Sequence, residues 1–147
     1  RPLMRPSGAG STATAQATRA PRSVLLVSPD TEIRPPIVAL YQDAPDARRA
    51  LVLASKLAQH VGGLLSVVVP ATVSGSSQEI QKQITDELNG EGLVIRYREL
   101  IGSGVLSLAT AVVTEGAGML ALGRTFLSSG EISKLLDRVH CPVLLVH

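Results

Sequence analysis

The sequence predicts a three-layer α/β/α sandwich, in which a five-stranded parallel sheet carries helices on both faces. Short apolar runs alternate along the chain with longer segments whose apolar residues recur every three or four positions. The connections between them are short, as in right-handed β-α-β crossovers. Apolar residues make up 45% of the 147 residues and aromatic residues only 2%. The core must therefore be built from Val, Leu, Ile and Ala, which is common where helices cover both faces of a sheet.

The five predicted strands are short runs bounded by turn residues or proline. The run at 64–69 is apolar except for Ser66, which is typical of a strand buried on both faces. A further β-type run at 23–27 precedes them and ends at Ser28-Pro29-Asp30. The five strands are predicted at residues 37–41, 64–69, 93–97, 119–122 and 143–146.

Four amphipathic segments separate these strands. The first has Asp43 as a candidate N-cap and Pro45 in its first turn, and Gly62-Gly63 ends it. The other three have a serine at the predicted start, in two cases with a capping-box glutamate: Ser76 with Glu79, Ser103, and Ser128 with Glu131. The order β-α-β-α-β-α-β-α-β predicts a Rossmann-like, doubly wound sheet.

Charge and cysteine content exclude several functional classes. Four arginines precede the first acidic residue, Asp30, but they are spread over 22 residues and form no concentrated nucleic-acid-binding patch. Cys141 is the only cysteine, so no internal disulfide can form, which fits a reducing cytoplasm. No apolar run approaches the roughly 20 residues of a membrane helix. We expect a cytoplasmic protein without a metal, nucleic acid or membrane insertion, and the absence of an initiator Met suggests a piece of a longer protein.

Catalytic arrangements are scarce in the sequence. His60, His140 and His147 each stand at the end of a predicted element, with no partner at a spacing that indicates acid–base chemistry. A nucleophile elbow, a Walker-type lysine loop and a Gly-x-Gly-x-x-Gly turn are all absent after the strands. Cys141 precedes Pro142 at a strand entrance, where a buried and inert thiol is expected. We therefore predict that the chain is not an enzyme.

A doubly wound sheet binds ligands at the carboxyl ends of its strands, where the strand order reverses. The loops after Tyr41, Val69 and Leu122 are thus the candidate site. Asp43 and Asp46 could hold a ribose or an adenine edge, but both are also common at helix starts. The amides, hydroxyls and arginine of residues 123–130 could hold a phosphate or simply form a turn and a helix cap. Glu131 would repel a phosphate there.

Two stretches of the chain resemble the universal stress protein family. IVALYQDAPDARRALVLASKLAQHVGGLLSVVVP, at 37–70, is similar to the family's opening strand, helix and second strand. GAGMLALGR, at 116–124, and KLLDRVHCPVLLVH, at 134–147, are similar to its closing half. The resemblance implies the adenine-nucleotide α-hydrolase-like fold, a role in stress responses, dimeric assembly, and either ATP binding or no nucleotide binding.

The chain departs from the ATP-binding branch of that family, whose members carry an Asp after the first strand and a loop Gly-x2-Gly-x9-Gly-Ser/Thr. The Asp position falls on Tyr41 or Gln42 unless a gap brings Asp43 into it. Gly123 matches the first glycine, but Phe126 occupies the second, and the loop is about seven residues too short to supply the amides a triphosphate needs. The residues that would bind a nucleotide are Tyr41, Gln42, Asp43, Val69, Gly123, Arg124, Ser128, Ser129 and Gly130.

The short loop, which lacks the second glycine, favours a non-catalytic regulatory or stress-response module that acts through protein contacts and holds no cofactor. One alternative is an adenine-nucleotide sensor that binds ATP or AMP and hydrolyses ATP slowly. Another is the soluble regulatory domain of a membrane transporter.

The N-terminal residues resemble the closing segment of the same family. Gly10-Ser11, a helix-length stretch, Ala20-Pro21 and the run at 23–27 follow its order. This implies a tandem ancestry, with residues 1–34 as the degenerate end of an upstream unit and 35–147 as the domain. Closing strands of the family pair antiparallel across a dimer. We therefore expect a homodimer or an intramolecular pseudo-dimer through the final strand, which comprises Val143, Leu144, Leu145 and Val146. In the intramolecular case the run at 23–27 adds to the sheet as an extra antiparallel edge strand beside that final strand.

Overall fold

The computed structural model describes residues 23–26, 32–70, 77–88, 92–102 and 104–147. These residues form six strands, four α-helices and a short 3-10 helix at Arg124–Phe126. The strands are β1 (Val24–Leu26), β2 (Ile37–Leu40), β3 (Leu64–Pro70), β4 (Val94–Leu100), β5 (Met119–Gly123) and β6 (Val143–Val146). The helices are α1 (Pro45–His60), α2 (Ser77–Leu88), α3 (Gly104–Glu115) and α4 (Ser129–Arg138).

All six strands form one sheet in the order β1-β6-β5-β2-β3-β4. Strands β2 to β6 are parallel to one another, and β1 runs antiparallel to β6 at the edge. The predicted five-stranded parallel sheet is thus confirmed, and so is the additional antiparallel edge strand predicted within 23–27. Val24 pairs with Leu145 and Leu26 with Val143. Residues 1–22 lie outside the described part of the chain, so the upstream-unit hypothesis stays a prediction.

The core has two halves, one on each face of the sheet. Helices α1 and α2 cover one face, where Leu51 and Ile84 pack against Ile37 and Leu65. Helices α3 and α4 cover the other face, where Leu108 packs among residues that include Leu120. Every residue of β2 and of β5 is buried, because helices lie on both sides of these central strands.

Helix ends follow the predicted caps in part. Ser128 and Glu131 form the predicted capping box, in which the Glu131 amide donates to Ser128 Oγ and the Ser128 amide donates to Glu131 Oε1. The prediction that Asp43 caps α1 is wrong, because Ala44 is the N-cap and makes no side-chain cap. Asp43 instead forms an exposed ion pair with Arg48. Ser76 and Ser103 lie outside the described residues.

Strand β4 extends further than its predicted range of 93–97. It continues through Arg98 and Glu99 to Leu100, pairing with β3 as far as Pro70. Charged residues are tolerated here because β4 is the last strand of the sheet in the described part of the chain, so one edge meets solvent. Arg98 and Glu99 therefore belong to an edge strand.

Candidate functional site

The candidate site lies where the strand order reverses, between β2 and β5. The chain adds β3 and β4 on one side of β2, then crosses to add β5 and β6 on the other. The carboxyl ends of β2 and β5 thus meet at the crevice where doubly wound sheets bind their ligands. The start of α1 follows β2 into this crevice, and the 3-10 helix follows β5.

Asp46, in the first turn of α1, fills the junction between these two segments. Its side chain is only 6% exposed. Its Oδ2 atom accepts hydrogen bonds from the backbone amide of Thr125 at 2.8 Å and from the Thr125 hydroxyl at 2.6 Å. Its Oδ1 atom accepts from the amide of Ala47 at 2.9 Å. The amide and hydroxyl of Thr125, at the turn after β5, are therefore engaged by a carboxylate of the protein itself.

The electrostatics of Asp46 favour its charged form. Burial raises the pKa of this carboxyl, but the hydrogen bonds from Thr125 and from backbone amides outweigh burial and hold the pKa below its usual value of 3.8. The position in the first turn of α1 adds a favourable interaction with the helix dipole. Asp46 is thus a buried anion at neutral pH.

Gly123 is required by the close approach of this carboxylate. A Cβ atom at position 123 would lie 2.8 Å from the Ala47 amide nitrogen and 2.8 Å from the Asp46 carboxyl carbon. No larger residue fits without moving α1 away from β5. Gly123, which matches the first glycine of the family's phosphate loop, therefore leaves room here for the Asp46 carboxylate.

The other candidate residues range from buried to exposed. Tyr41 is buried, and burial followed by the nearby charge of Asp43 raises the pKa of its hydroxyl. Gln42 and Arg124 are partly buried, and Val69 lies near the end of β3, with residues 71–76 beyond it outside the described part. The Ser128 hydroxyl is engaged in its capping box. Ser129 and Gly130 are exposed at the start of α4.

Sequence reasoning missed Thr125 and weighed Asp46 only as a ribose contact or a helix-start residue. The two are 79 residues apart, so no linear spacing could join them. The available signal was topological, since the segments that follow β2 and β5 must meet at the strand-order reversal.

Reactive groups elsewhere are isolated in the described residues. His60 and His140 are exposed. Burial raises the pKa of Cys141 to about 11, which leaves its thiol protonated and unreactive at neutral pH. Over the described ranges, His, Cys, Asp and Glu form no group of three or more that could hold a metal ion. Nor is any helix there long and apolar enough to cross a bilayer.

Solved structures of universal stress proteins are similar to this chain. A universal stress protein in complex with cAMP aligns with a TM-score of 0.59 and 17% identity, over 76% of this chain and 95% of that chain. One from Archaeoglobus fulgidus in complex with dAMP aligns at 0.60 and 17%, over 79% and 100%. Another, from Archaeoglobus fulgidus DSM 4304, aligns at 0.64 and 17%, over 84% of this chain but 49% of that one.

No family model and no curated protein matches the sequence. The structural matches show that the chain has the fold of the universal stress proteins.

Proposed function

We propose that this chain is a non-catalytic stress-response module of the universal stress protein fold, which acts through protein contacts and leaves its nucleotide crevice closed. The observation that carries the proposal is the pairing of the buried Asp46 carboxylate with the amide and hydroxyl of Thr125. Both donors belong to the segment after β5, where the sequence predicts a phosphate site.

The charge of Asp46 opposes a nucleotide as well as occupying its donors. Two unit negative charges about 5 Å apart repel by about 3 kcal/mol at an effective dielectric constant of about 20. Moving Asp46 aside would relieve the repulsion but would leave a buried carboxylate without its hydrogen bonds. A triphosphate therefore faces an unfavourable exchange in either case.

Strand β1 supports an intramolecular pseudo-dimer in preference to a homodimer through the final strand. It covers the edge of β6 with three paired residues, so this edge has no unpaired strand to offer a second copy at those positions. We expect light scattering to give a monomer mass at concentrations up to about 100 µM, far above the Kd of a stable homodimer. A dimer that survives disruption of the β6 edge would argue for another interface.

An adenine-nucleotide sensor is the second candidate. The cAMP and dAMP complexes of two similar structures favour it, as do the exposed Ser129 and Gly130 at the start of α4. Such a site would use the amides of α4 and the Arg124 side chain, and it would lie beside the Asp46–Thr125 contact rather than at it.

Isothermal titration calorimetry with ATP and Mg²⁺, AMP, cAMP and dAMP separates the two candidates. We expect no saturable heat with any of them at 1 mM ligand, and no ATP hydrolysis above the buffer rate. Under the sensor hypothesis a ligand present at 100 times its Kd would stabilise the fold by about 2.7 kcal/mol, and Arg124→Ala would abolish that gain. Saturable binding that Arg124→Ala removes would support the sensor and overturn the proposal that the chain acts through protein contacts alone.

A further inference from the structure

A groove runs between the edge strand β4 and helix α3, on the sheet face opposite α1. Its volume is about 630 Å³. One wall is formed by residues 98–101, at the end of β4 and just after it. The other wall is one side of α3, formed by Leu106, Ser107, Thr110, Ala111, Thr114 and Glu115.

At one end of this groove two arginines and one carboxylate meet on the α3 face of the sheet, whereas Glu99, which also lines the groove, alternates to the α1 face of β4. The side chain of Glu115 is 8% exposed; its Oε2 accepts from Arg98 Nε at 3.0 Å, and its Oε1 accepts from Ser66 Oγ at 2.6 Å. Arg96 Nη2 lies 4.0 Å from the same carboxylate. Two guanidinium groups thus share one carboxylate, and they remain 41% and 54% exposed. Among the described residues, the buried Nε of Arg96 has no hydrogen-bond partner.

The other end of the groove is apolar. Ile101 is 87% exposed and Leu106 is 58% exposed, and both line the groove. Residues 104–114 of α3 include no charged side chain, although much of this helix faces solvent. Large exposed apolar side chains beside an open groove are typical of a contact surface.

Strand β4 also presents an open sheet edge. It pairs with β3 alone in the described part of the chain, so the main-chain groups on its other side are available for a further strand. Side chains alternate along it: Leu100 packs on the α3 face, whereas Ile95 and Tyr97 pack on the α1 face. Arg96 and Arg98 therefore lie on the α3 face, two residues apart, beside the groove.

We propose that the edge of β4 and this groove bind an extended acidic segment of a partner protein, which adds to the sheet as a further strand. Main-chain hydrogen bonds to β4 would supply affinity, and alternate side chains would supply specificity. Two carboxylates two residues apart would face Arg96 and Arg98, and an apolar side chain two positions further would contact Leu100 and Leu106. The inference rests on the proposed action through protein contacts and gives the chemistry of the partner.

A second copy of this chain fits the edge poorly. If two copies of β4 paired antiparallel about a two-fold axis, residues directly opposite each other would lie on the same face of the sheet. Because the faces alternate along a strand, the two residue numbers would be both even or both odd, and their sum would be even. All registers that meet this condition and pair at least five residues of β4 place one arginine opposite another. Either Arg96 lies opposite Arg98, or one of the two lies opposite the same residue of the second copy. Like charges directly opposite are destabilising.

The N-terminal residues of the chain are also mismatched in charge with this edge. Residues 1–22 contain four arginines and no acidic residue. They therefore offer no carboxylate to Arg96 and Arg98, whereas a separate acidic segment does.

A fluorescein-labelled peptide of sequence Leu-Thr-Glu-Val-Glu-Thr-Leu-amide tests the proposal by fluorescence anisotropy with the full chain. Its alternate residues Leu, Glu, Glu, Leu match Val94, Arg96, Arg98 and Leu100 in either strand direction. We expect saturable binding that weakens with salt. The same peptide with lysine in place of both glutamates should bind at least about tenfold more weakly.

Variants of the chain locate the binding. We expect Arg98→Gln and Leu106→Asp each to weaken binding about tenfold, whereas Val113→Asp should leave it unchanged. Val113 is the matched control, because it is also exposed on α3 but does not line the groove. Arg98 and Leu106 are both more than half exposed, so these variants should fold. Amide hydrogen exchange within β4 should slow about fivefold at saturation, as strand addition requires.

Three results would overturn the proposal: equal binding of the lysine peptide, unchanged binding by both groove variants, or unchanged exchange in β4. A concentration-dependent dimer that Leu106→Asp abolishes would instead assign the groove to a second copy. Nucleotide binding would instead favour the sensor hypothesis, and the peptide, variant and exchange results could still be interpreted. The failures of the two proposals are therefore distinguishable.

Discussion

Two buried carboxylates lie on opposite faces of the sheet and at opposite ends of their helices. Asp46 is in the first turn of α1, where the helix dipole favours a negative charge. Glu115 is the last residue of α3, where the dipole opposes it. Asp46 is bonded by neutral donors, mainly the amide and hydroxyl of Thr125. Glu115 is bonded by Ser66 and by the charged side chain of Arg98.

The difference between them decides what each place can bind. At Asp46, the Thr125 donors and the carboxylate satisfy one another inside the protein, which is why we propose that the crevice at the strand-order reversal is closed to an outside anion. At Glu115, two partly exposed arginines exceed the charge of one carboxylate, so that surface can still accept an acidic group.

The largest effect should come from removing the carboxylates themselves. We expect Asp46→Ala to lower the free energy of unfolding by about 3 kcal/mol, because it leaves the Thr125 amide and hydroxyl without their charged acceptor. Glu115→Ala should cost less, about 2 kcal/mol, because its exposed arginines can be hydrated but the fully buried Ser66 hydroxyl loses its acceptor. Urea unfolding measures both. Asp43→Ala, at an exposed aspartate of the same segment, should cost less than about 1 kcal/mol. Equal losses of unfolding free energy for Asp46→Ala and Asp43→Ala would contradict the proposal that the Asp46–Thr125 contact closes the crevice.

A methyl group at position 123 should have the next largest effect. The Cβ atom would lie 2.8 Å from the Asp46 carboxyl carbon and from the Ala47 amide nitrogen. We expect Gly123→Ala to cost about 2 kcal/mol in the same assay, as overpacking in a buried site does. Gly130→Ala is the matched control, because nothing lies within 4 Å of its added Cβ. It should be neutral or slightly stabilising within α4.

The pH dependence separates Asp46 from an ordinary surface carboxylate. Hydrogen bonds outweigh burial and lower its pKa in the folded chain. A carboxyl with a lower pKa in the folded state stabilises the protein above its unfolded-state pKa, and this contribution is lost as pH falls through the folded-state pKa. The stability gap between wild type and Asp46→Asn, about 1–2 kcal/mol at pH 7, should therefore close progressively below about pH 4. A gap that stays constant down to about pH 2 would indicate a purely steric role.

The smallest effect should come from Arg98, which is more than half exposed. We expect Arg98→Gln to change the unfolding free energy by about 0.5 kcal/mol at low salt and by less at about 1 M salt, because surface ion pairs are weak and screened. Thermal unfolding at two salt concentrations measures the change. A loss above about 2 kcal/mol would mean that the guanidinium is fully committed to Glu115, leaving no spare charge for a partner.

The fold was largely predictable from the sequence because hydrophobic periodicity follows the local geometry of helices and strands. The two errors in the described residues arose where side-chain partners decide the outcome. Asp43 pairs with Arg48 rather than capping α1, and β4 continues through Arg98 and Glu99 because an edge strand tolerates charge. The position of the candidate site followed from the topology, but its occupation by Asp46 did not. That contact joins residues 79 positions apart, and only packing of α1 against β5 brings them together.

The backbone amide of Thr125 reports on the central claim most directly. Its ¹H–¹⁵N resonance should carry the signature of an amide bonded to a carboxylate, and it should move as pH falls through the Asp46 pKa. On titration with ATP and Mg²⁺ to about 5 mM at pH 7, well above the Kd of a functional site, we expect this resonance to stay in place. A saturable shift of the Thr125 amide with ATP would show that phosphate reaches the corner, and would contradict the account.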